Sequence, residues 1–245
     1  MPVMQNMTRA YQLAYYYQAM NEQKPMSSTA EHSYFDIVAA LFCALLLISN
    51  IGATKLLALG TFIFDGGALL FPLTYVLGDV LAEVYGAKAA RRTIWLGFIV
   101  SLTASTAFAL IDAAPAAPGF ASAAAWHAVL GVVWRMVAAS LVGYLAGQFL
   151  NVYVLVRIRE RFGTGRLWVR LVGSTLVGEA ADTALFCLIA WFGIAANTMA
   201  NYIITGYLYK VAIEVALLPL TYRVIAWIRS REAARHSRVT LPAQH

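Results

Sequence analysis

Six long apolar stretches constrain what this chain can fold into more than any other feature of its sequence. Each has about 20 residues or more, the length that an α-helix needs to cross the hydrocarbon core of a bilayer. They cover residues 36–58, 66–86, 93–112, 126–153, 168–192 and 201–227. Charged residues make up only 12% of the 245 residues, against roughly 25% in soluble domains. The sequence therefore predicts an all-α polytopic membrane protein with six transmembrane helices.

Basic residues lie in alternate connections between these stretches. They are Lys88, Arg91 and Arg92 in the second loop, Arg157, Arg159, Arg161, Arg166 and Arg170 in the fourth, and Arg223, Arg229, Arg231, Arg235 and Arg238 at the C-terminal end. The third loop (113–125) and the fifth (193–200) have none. The positive-inside rule then places both termini in the cytoplasm. Contact with anionic lipid explains the basic tail better than nucleic-acid binding does.

The predicted spans leave no room for a separate soluble domain. We expect one transport domain over residues 35–228, with a cytoplasmic N-terminal segment (1–34) and a basic cytoplasmic tail (229–245). The first segment has no apolar core preceded by positive charge, so it is not typical of a signal peptide.

Two of the predicted helices carry carboxylates on one face. Asp79 and Glu83 are four residues apart, and Tyr75 extends their face by one turn. Glu179 and Asp182 are three apart in the fifth stretch. Ionisable residues inside a membrane helix are costly and mark functional sites by default. For Glu83, a carboxylate that reaches interfacial water is an equally good interpretation.

The two acidic helices also match each other. An offset of 100 aligns Gly78 with Gly178 and Asp79 with Glu179. With three helices in each half, the second half starts from the opposite side of the membrane. This arrangement is typical of inverted-repeat transporters, whose site lies between the halves.

Two basic residues fall deep inside the spans. Arg135 lies roughly 13 Å along the helix from Trp126, so we expect it to pair with an acid of the second or fifth helix or with a ligand. Lys210 and Glu214 are four residues apart and are expected to neutralise each other. Acids still outnumber bases in the spans, which favours protonated carboxyls or a ligand that donates hydrogen bonds.

The remaining reactive residues indicate no further chemistry. The four histidines are scattered, and Cys43 and Cys187 both fall within predicted spans. We expect no metal, cofactor, disulfide or catalytic group.

Four segments combine acidic, basic and small residues within the apolar stretches. They are FPLTYVLGDVLAEVYGAKAARR (71–92), RMVAASLVGYLAGQFLNVYVLVRIRER (135–161), STLVGEAADTALF (174–186) and YKVAIEVALLPL (209–220). In this order they resemble the queuosine precursor transporter family, also called the vitamin uptake transporter family, over about residues 36–228. The residues at its motif positions are Asp79, Glu83, Gly86, Arg91, Arg135, Gln148, Thr175, Asp182, Thr183 and Lys210. The family commonly has Asp where this chain has Asn151, which removes a charge there.

The resemblance implies uptake of 7-cyano-7-deazaguanine through the bacterial inner membrane for tRNA modification, with 7-aminomethyl-7-deazaguanine as a second substrate. A guanine-like ring needs acceptors for its N–H groups, donors for its carbonyl and aromatic faces for stacking. The substrate-binding candidates are Asp79, Glu83, Glu179 and Asp182 as acceptors, Asn50, Arg135, Gln148 and Lys210 as donors, and Phe71, Tyr75 and Phe186 as stacking rings. The expected partners are this substrate and lipid, with no nucleic acid. The oligomeric state stays open, with a homodimer as one option.

Two other functions compete with this one. The chain could be the substrate-binding subunit for another small vitamin-like molecule, working with a separate energising complex, since it has no P-loop of its own. An intramembrane aspartyl protease is the less favoured option, because Val76 stands where its Gly-x-Gly-Asp motif needs the first glycine. The sequence does not distinguish facilitated from proton-coupled transport.

Overall fold

The computed structural model describes residues 34–162 and 167–240, and these are mainly helical. The helices are α1 (Phe35–Gly52), α2 (Phe71–Tyr85), α3 (Ala87–Ala113), α4 (Ala123–Val129), α5 (Val133–Phe162), α6 (Leu167–Ala190) and α7 (Ala196–Thr240). Two strands, β1 (Leu56–Leu59) and β2 (Phe62–Asp65), and a 3-10 turn (Gly66–Leu69) lie between α1 and α2. The predicted N-terminal segment, apart from Tyr34, lies outside the described residues. Helix α7 continues through the first part of the predicted tail.

Within the residues that the structure describes, five helical segments are long and apolar enough to cross a membrane. They are Phe35–Gly52, Ala87–Ala113, Ala123–Ile158, Gly173–Ala190 and Ala196–Ala234. These segments confirm a multi-pass, helical membrane protein. The predicted span 66–86 is not among them, because its α-helical part α2 has only 15 residues. At 1.5 Å per residue α2 is about 22 Å long, so six spans and two inverted halves stay a prediction.

The connection between α1 and α2 is a β-hairpin, which the all-α prediction did not include. Helix α1 ends at Gly52, short of the predicted 58, and Leu56 pairs with Asp65 in an antiparallel ladder. Gly60, in the two-residue turn, has a φ of 63°, a left-handed value that glycine adopts without strain. Asn201 of α7 holds the hairpin, since its Oδ1 accepts from Ile63 N (3.1 Å) and its Nδ2 donates to the Thr61 carbonyl (2.8 Å).

Helices α5 and α6 pack closely through glycines. A Cβ added at Gly178 would lie 2.8 Å from the carbonyl oxygen of Gly147, and one added at Gly143 would lie 2.8 Å from that of Asp182. Small residues allow such close backbone approach in membrane helices. The contact therefore sets the acidic face of α6 directly against α5.

An apolar cluster joins α1, α2, α3 and the second half of α7. Its buried members are Val38, Phe42, Val80, Leu81, Val84, Tyr85, Ala90, Ile225 and Ile228. Beside it, the buried Glu232 accepts hydrogen bonds from Tyr85 Oη (2.9 Å) and Tyr34 N (3.3 Å). Arg229 Nη2 donates to the Glu83 carbonyl (2.6 Å) and lies 3.5 Å from Glu83 Oε2. We call the Tyr85–Glu232 and Arg229–Glu83 interactions the α2–α7 contact.

Candidate functional site

A polar cavity of about 430 Å³ lies between the hairpin and helices α1, α2, α3, α5, α6 and α7. This volume suits a small-molecule ligand. The predicted site residues that line it are Asn50, Phe71, Tyr75, Asp79, Gln148, Glu179, Asp182, Phe186 and Lys210. The fold thus brings residues from five helices, separated by up to 160 positions in the sequence, around one space.

Lys210 is the electrostatic centre of this cavity. Its Nζ donates to Asp182 Oδ2 (2.5 Å), lies 3.8 Å from Glu179 Oε2, and stands 4.8 Å from the centre of the Phe71 ring. The predicted pairing with Glu214 is wrong, since no ion pair joins the two among the described residues. A pair four apart on one helix gains only about 0.2–0.5 kcal/mol, whereas α6 offers Lys210 two mostly buried carboxylates.

Tyr75 connects α2 to the same cluster. Its hydroxyl donates to Glu179 Oε1 at 2.5 Å, and its ring meets Phe71 edge-on at 4.2 Å between centroids. Glu179 Oε2 is buried and has no hydrogen-bond partner in the described part of the chain. Lys210, Asp182, Glu179 and Tyr75 form one connected network, which we call the Lys210 network.

Asp79 is the cavity carboxylate that the protein leaves available. It lines the cavity, and within residues 34–162 and 167–240 its carboxylate has neither an ion pair nor a hydrogen bond. Asn50 is nearly fully buried, with its Nδ2 bonded to the Leu46 carbonyl (2.9 Å) and its Oδ1 left as an acceptor. Gln148 lines the cavity from α5. Acceptors and donors thus surround the space without all being engaged.

Two predicted site residues lie outside the cavity lining. Glu83 belongs to the α2–α7 contact. Arg135 forms no ion pair with any described residue, and its Nε is buried without a hydrogen-bond partner. The predicted acidic partner is therefore wrong. A turn at residues 130–132 interrupts the predicted fourth helix, so Arg135 lies in the first turn of α5.

Four cavity residues near the hairpin are not among the substrate-binding candidates of the sequence, although the position of Tyr202 and Tyr209 in the sixth stretch predicts interfacial or stacking residues. Asp65 Oδ2 accepts from Tyr202 Oη (2.7 Å), and Tyr209 Oη donates to the Ala68 carbonyl (3.1 Å). Phe64 stacks on Tyr209. The spacing of seven between Tyr202 and Tyr209, next to Lys210, places them on one face of α7 and could have revealed them. The strand position of Phe64 and Asp65 had no comparable signal.

Thr183 adds a polar group that the protein does not satisfy. Its side chain lines the cavity and is 2% exposed, and its Oγ1 has no hydrogen-bond partner among the described residues. Buried hydroxyls without a partner are uncommon in folded proteins. The sequence analysis had placed Thr183 only at a motif position.

Membrane-spanning helices around a polar, ligand-sized cavity define a membrane transport protein. Residues 65–224, more than half of the chain, match a protein family described as vitamin uptake transporters. The chain belongs to this family, which confirms the resemblance seen in its sequence.

Several curated relatives carry a more specific name. A Bacillus subtilis protein named as a probable queuosine precursor transporter is 34% identical over 158 residues, covering 64% of this chain and 69% of the relative. The Escherichia coli queuosine precursor transporter is 29% identical, with 65% and 71% covered. A Haemophilus influenzae protein, also named as a probable queuosine precursor transporter, is 29% identical, with 70% and 74% covered. No solved structure matches the chain significantly.

Proposed function

We propose that this protein takes up a queuosine precursor through the bacterial inner membrane, with 7-cyano-7-deazaguanine as the first candidate and 7-aminomethyl-7-deazaguanine as the second. The names of its relatives support this substrate class. The observation that carries the proposal is Asp79, a carboxylate that lines a ligand-sized cavity and has no partner among the described residues.

The chemistry of a 7-deazaguanine matches the cavity. Its ring presents two adjacent N–H donors, which one carboxylate can accept together, as Asp79 could. The neighbouring ring carbonyl needs a donor, a role that suits the amide of Gln148 or the hydroxyl of Thr183. The Lys210 network shares one positive charge between two carboxylates. This excess of acceptors favours a ligand rich in N–H groups over an anion.

Replacing Asp79 with Asn tests the binding role. The change keeps the shape but presents a donor where the ring needs an acceptor. Loss of one charged hydrogen bond costs about 1.5–3 kcal/mol, so the apparent affinity of the protein for its substrate should fall roughly ten- to a hundredfold. The assay is uptake of labelled 7-cyano-7-deazaguanine by cells that cannot synthesise it, normalised to the amount of protein in the membrane.

Asp36→Asn is the matched control, because Asp36 is an exposed carboxylate at the start of α1. It should transport like the unchanged protein. Cys187 cannot serve as a control position in this uptake assay, because it lines the cavity. Near-normal uptake by Asp79→Asn would mean that this carboxylate does not bind the substrate.

Orientation in the membrane is a second test. The distribution of basic residues predicts that Ala117 faces the periplasm and that Ala233, near the end of α7, faces the cytoplasm. Both positions are exposed, while the native Cys43 and Cys187 are buried. A single introduced cysteine at Ala117 should react with a membrane-impermeant maleimide in intact cells, and one at Ala233 only after lysis. Labelling of both in intact cells would refute the scheme.

A further inference from the structure

Two aromatic rings at the hairpin end of the cavity form a parallel pair. Phe64 of β2 and Tyr209 of α7 have ring centroids 6.3 Å apart and an interplanar angle of 9°. Both side chains line the cavity and neither is fully buried, so ring surface remains open to it. The pair joins the hairpin to the helix that also carries Lys210.

The fold fixes the orientation of both rings before any ligand arrives. The Tyr209 hydroxyl donates to the Ala68 carbonyl (3.1 Å), which restrains the ring plane. Phe64 lies in the hairpin ladder opposite Leu57, and the adjacent Ile63 N donates to Asn201 Oδ1 (3.1 Å). A preorganised surface loses little conformational entropy when a ligand binds to it.

The stacking rings predicted from the sequence are already engaged by the protein. Phe71 has Lys210 over its face at 4.8 Å and Tyr75 against it at 4.2 Å. The Tyr75 hydroxyl is held by Glu179. Phe186 packs against an apolar cluster that includes Met136. These rings line the cavity, and each already has a protein contact that a stacked ligand would have to share.

We propose that the planar base of the substrate stacks on the Phe64–Tyr209 pair. The inference rests on the proposed function and assigns the stacking role to two residues outside the predicted set. Asp65 and Lys210 line the same cavity as Phe64 and Tyr209, so a base held there shares the space with both charged groups. Stacking accepts any flat ring, whereas the polar groups discriminate between rings.

The test is binding of 7-cyano-7-deazaguanine to the purified full chain in lipid nanodiscs, measured by calorimetry. Phe64→Leu and Tyr209→Leu keep apolar volume but remove the ring. Each should weaken binding roughly 5- to 150-fold, the range expected for loss of one base–aromatic contact. Tyr209→Phe and Phe64→Tyr keep a ring and should stay within a fewfold of the unchanged protein.

Helix α5 offers a matched control outside the cavity. Phe149 and Tyr153 form a similar stacked pair, with centroids 6.4 Å apart and an angle of 13°, and Phe149 is 70% exposed. Phe149→Leu should bind like the unchanged protein. A thermal unfolding midpoint for each variant confirms that it is folded.

The outcomes separate the two proposals. If the unchanged protein binds the base but both leucine variants bind as tightly as Phe149→Leu, the stacking assignment is overturned and the proposed function stands. If Tyr209→Phe and Phe64→Tyr lose as much affinity as the leucine variants, a ring face is not what the substrate needs, and the assignment is again overturned. If the unchanged protein does not bind the base, the proposed function fails and the assignment fails with it.

Discussion

Replacing Lys210 with methionine is expected to destabilise the protein by about 3–5 kcal/mol, the usual result of removing one partner from a buried ion pair. The change leaves Asp182 and Glu179 close together in the cavity without their shared cation. Their repulsion and poor solvation then oppose the packing of α6 against α7. Thermal unfolding in detergent, followed by circular dichroism, measures the effect.

Two further variants make this prediction specific. Lys88→Met removes a lysine from the exposed first turn of α3 and should leave unfolding unchanged. Adding Asp182→Asn to Lys210→Met should recover part of the lost stability, because contacting residues are non-additive. If Lys210→Met unfolds at the same temperature as Lys88→Met, the Lys210 network does not stabilise the fold.

Placing alanine at both Gly147 and Gly178 is expected to cost about 3 kcal/mol or more, since overpacking a close contact costs about 1–3 kcal/mol for each site. Each added Cβ would lie within 2.9 Å of the carbonyl oxygen of the other glycine. Backbone atoms cannot rotate away, so α5 and α6 must separate, and α6 would carry Glu179 with it. Both the unfolding temperature and the uptake rate should fall.

Gly78→Ala is the control for this change. The nearest atom to its added Cβ is Phe42 Cε2 at 3.7 Å, an ordinary contact. Alanine is favoured over glycine inside a helix by roughly 0.5–1 kcal/mol, so this variant should be as stable as the unchanged protein or more so. An unfolding temperature for the double variant equal to that of Gly78→Ala would show that the helices tolerate separation here.

Local periodicity predicted much of the site. The helical spacing placed Asp79 and Glu83 on one face and Glu179 and Asp182 on another, and the structure brings all but Glu83 into one cavity. Burial cost explains why this worked, because charged groups in apolar helices must turn towards a polar interior. The helical, multi-pass fold followed from hydropathy for a similar reason.

Contacts between distant segments were the part that sequence reasoning missed. The rule for residues four apart assigned Glu214 to Lys210, but it cannot weigh partners on another helix. The hairpin was missed although Gly52 and Gly60 interrupt the run, because its two four-residue strands are as apolar as the helix before them and carry no separate strand signal. Phe64 and Asp65 lie in the second strand of this hairpin, so the predicted site residues did not include them.

The length of α7 has a mechanical consequence. Its 45 residues run past the membrane, and Glu232 lies 22 residues beyond Lys210, about 33 Å along the axis. If α7 pivoted at Lys210 as a rigid rod, a tilt of about 10° would displace Glu232, about 33 Å away, by about 6 Å. That displacement is twice the 2.9 Å that joins Glu232 to Tyr85. A straight α7 would therefore act as a lever arm, and bending at Pro219, which lies inside the helix between the two points, would let the cavity end shift while Glu232 keeps its bond to Tyr85.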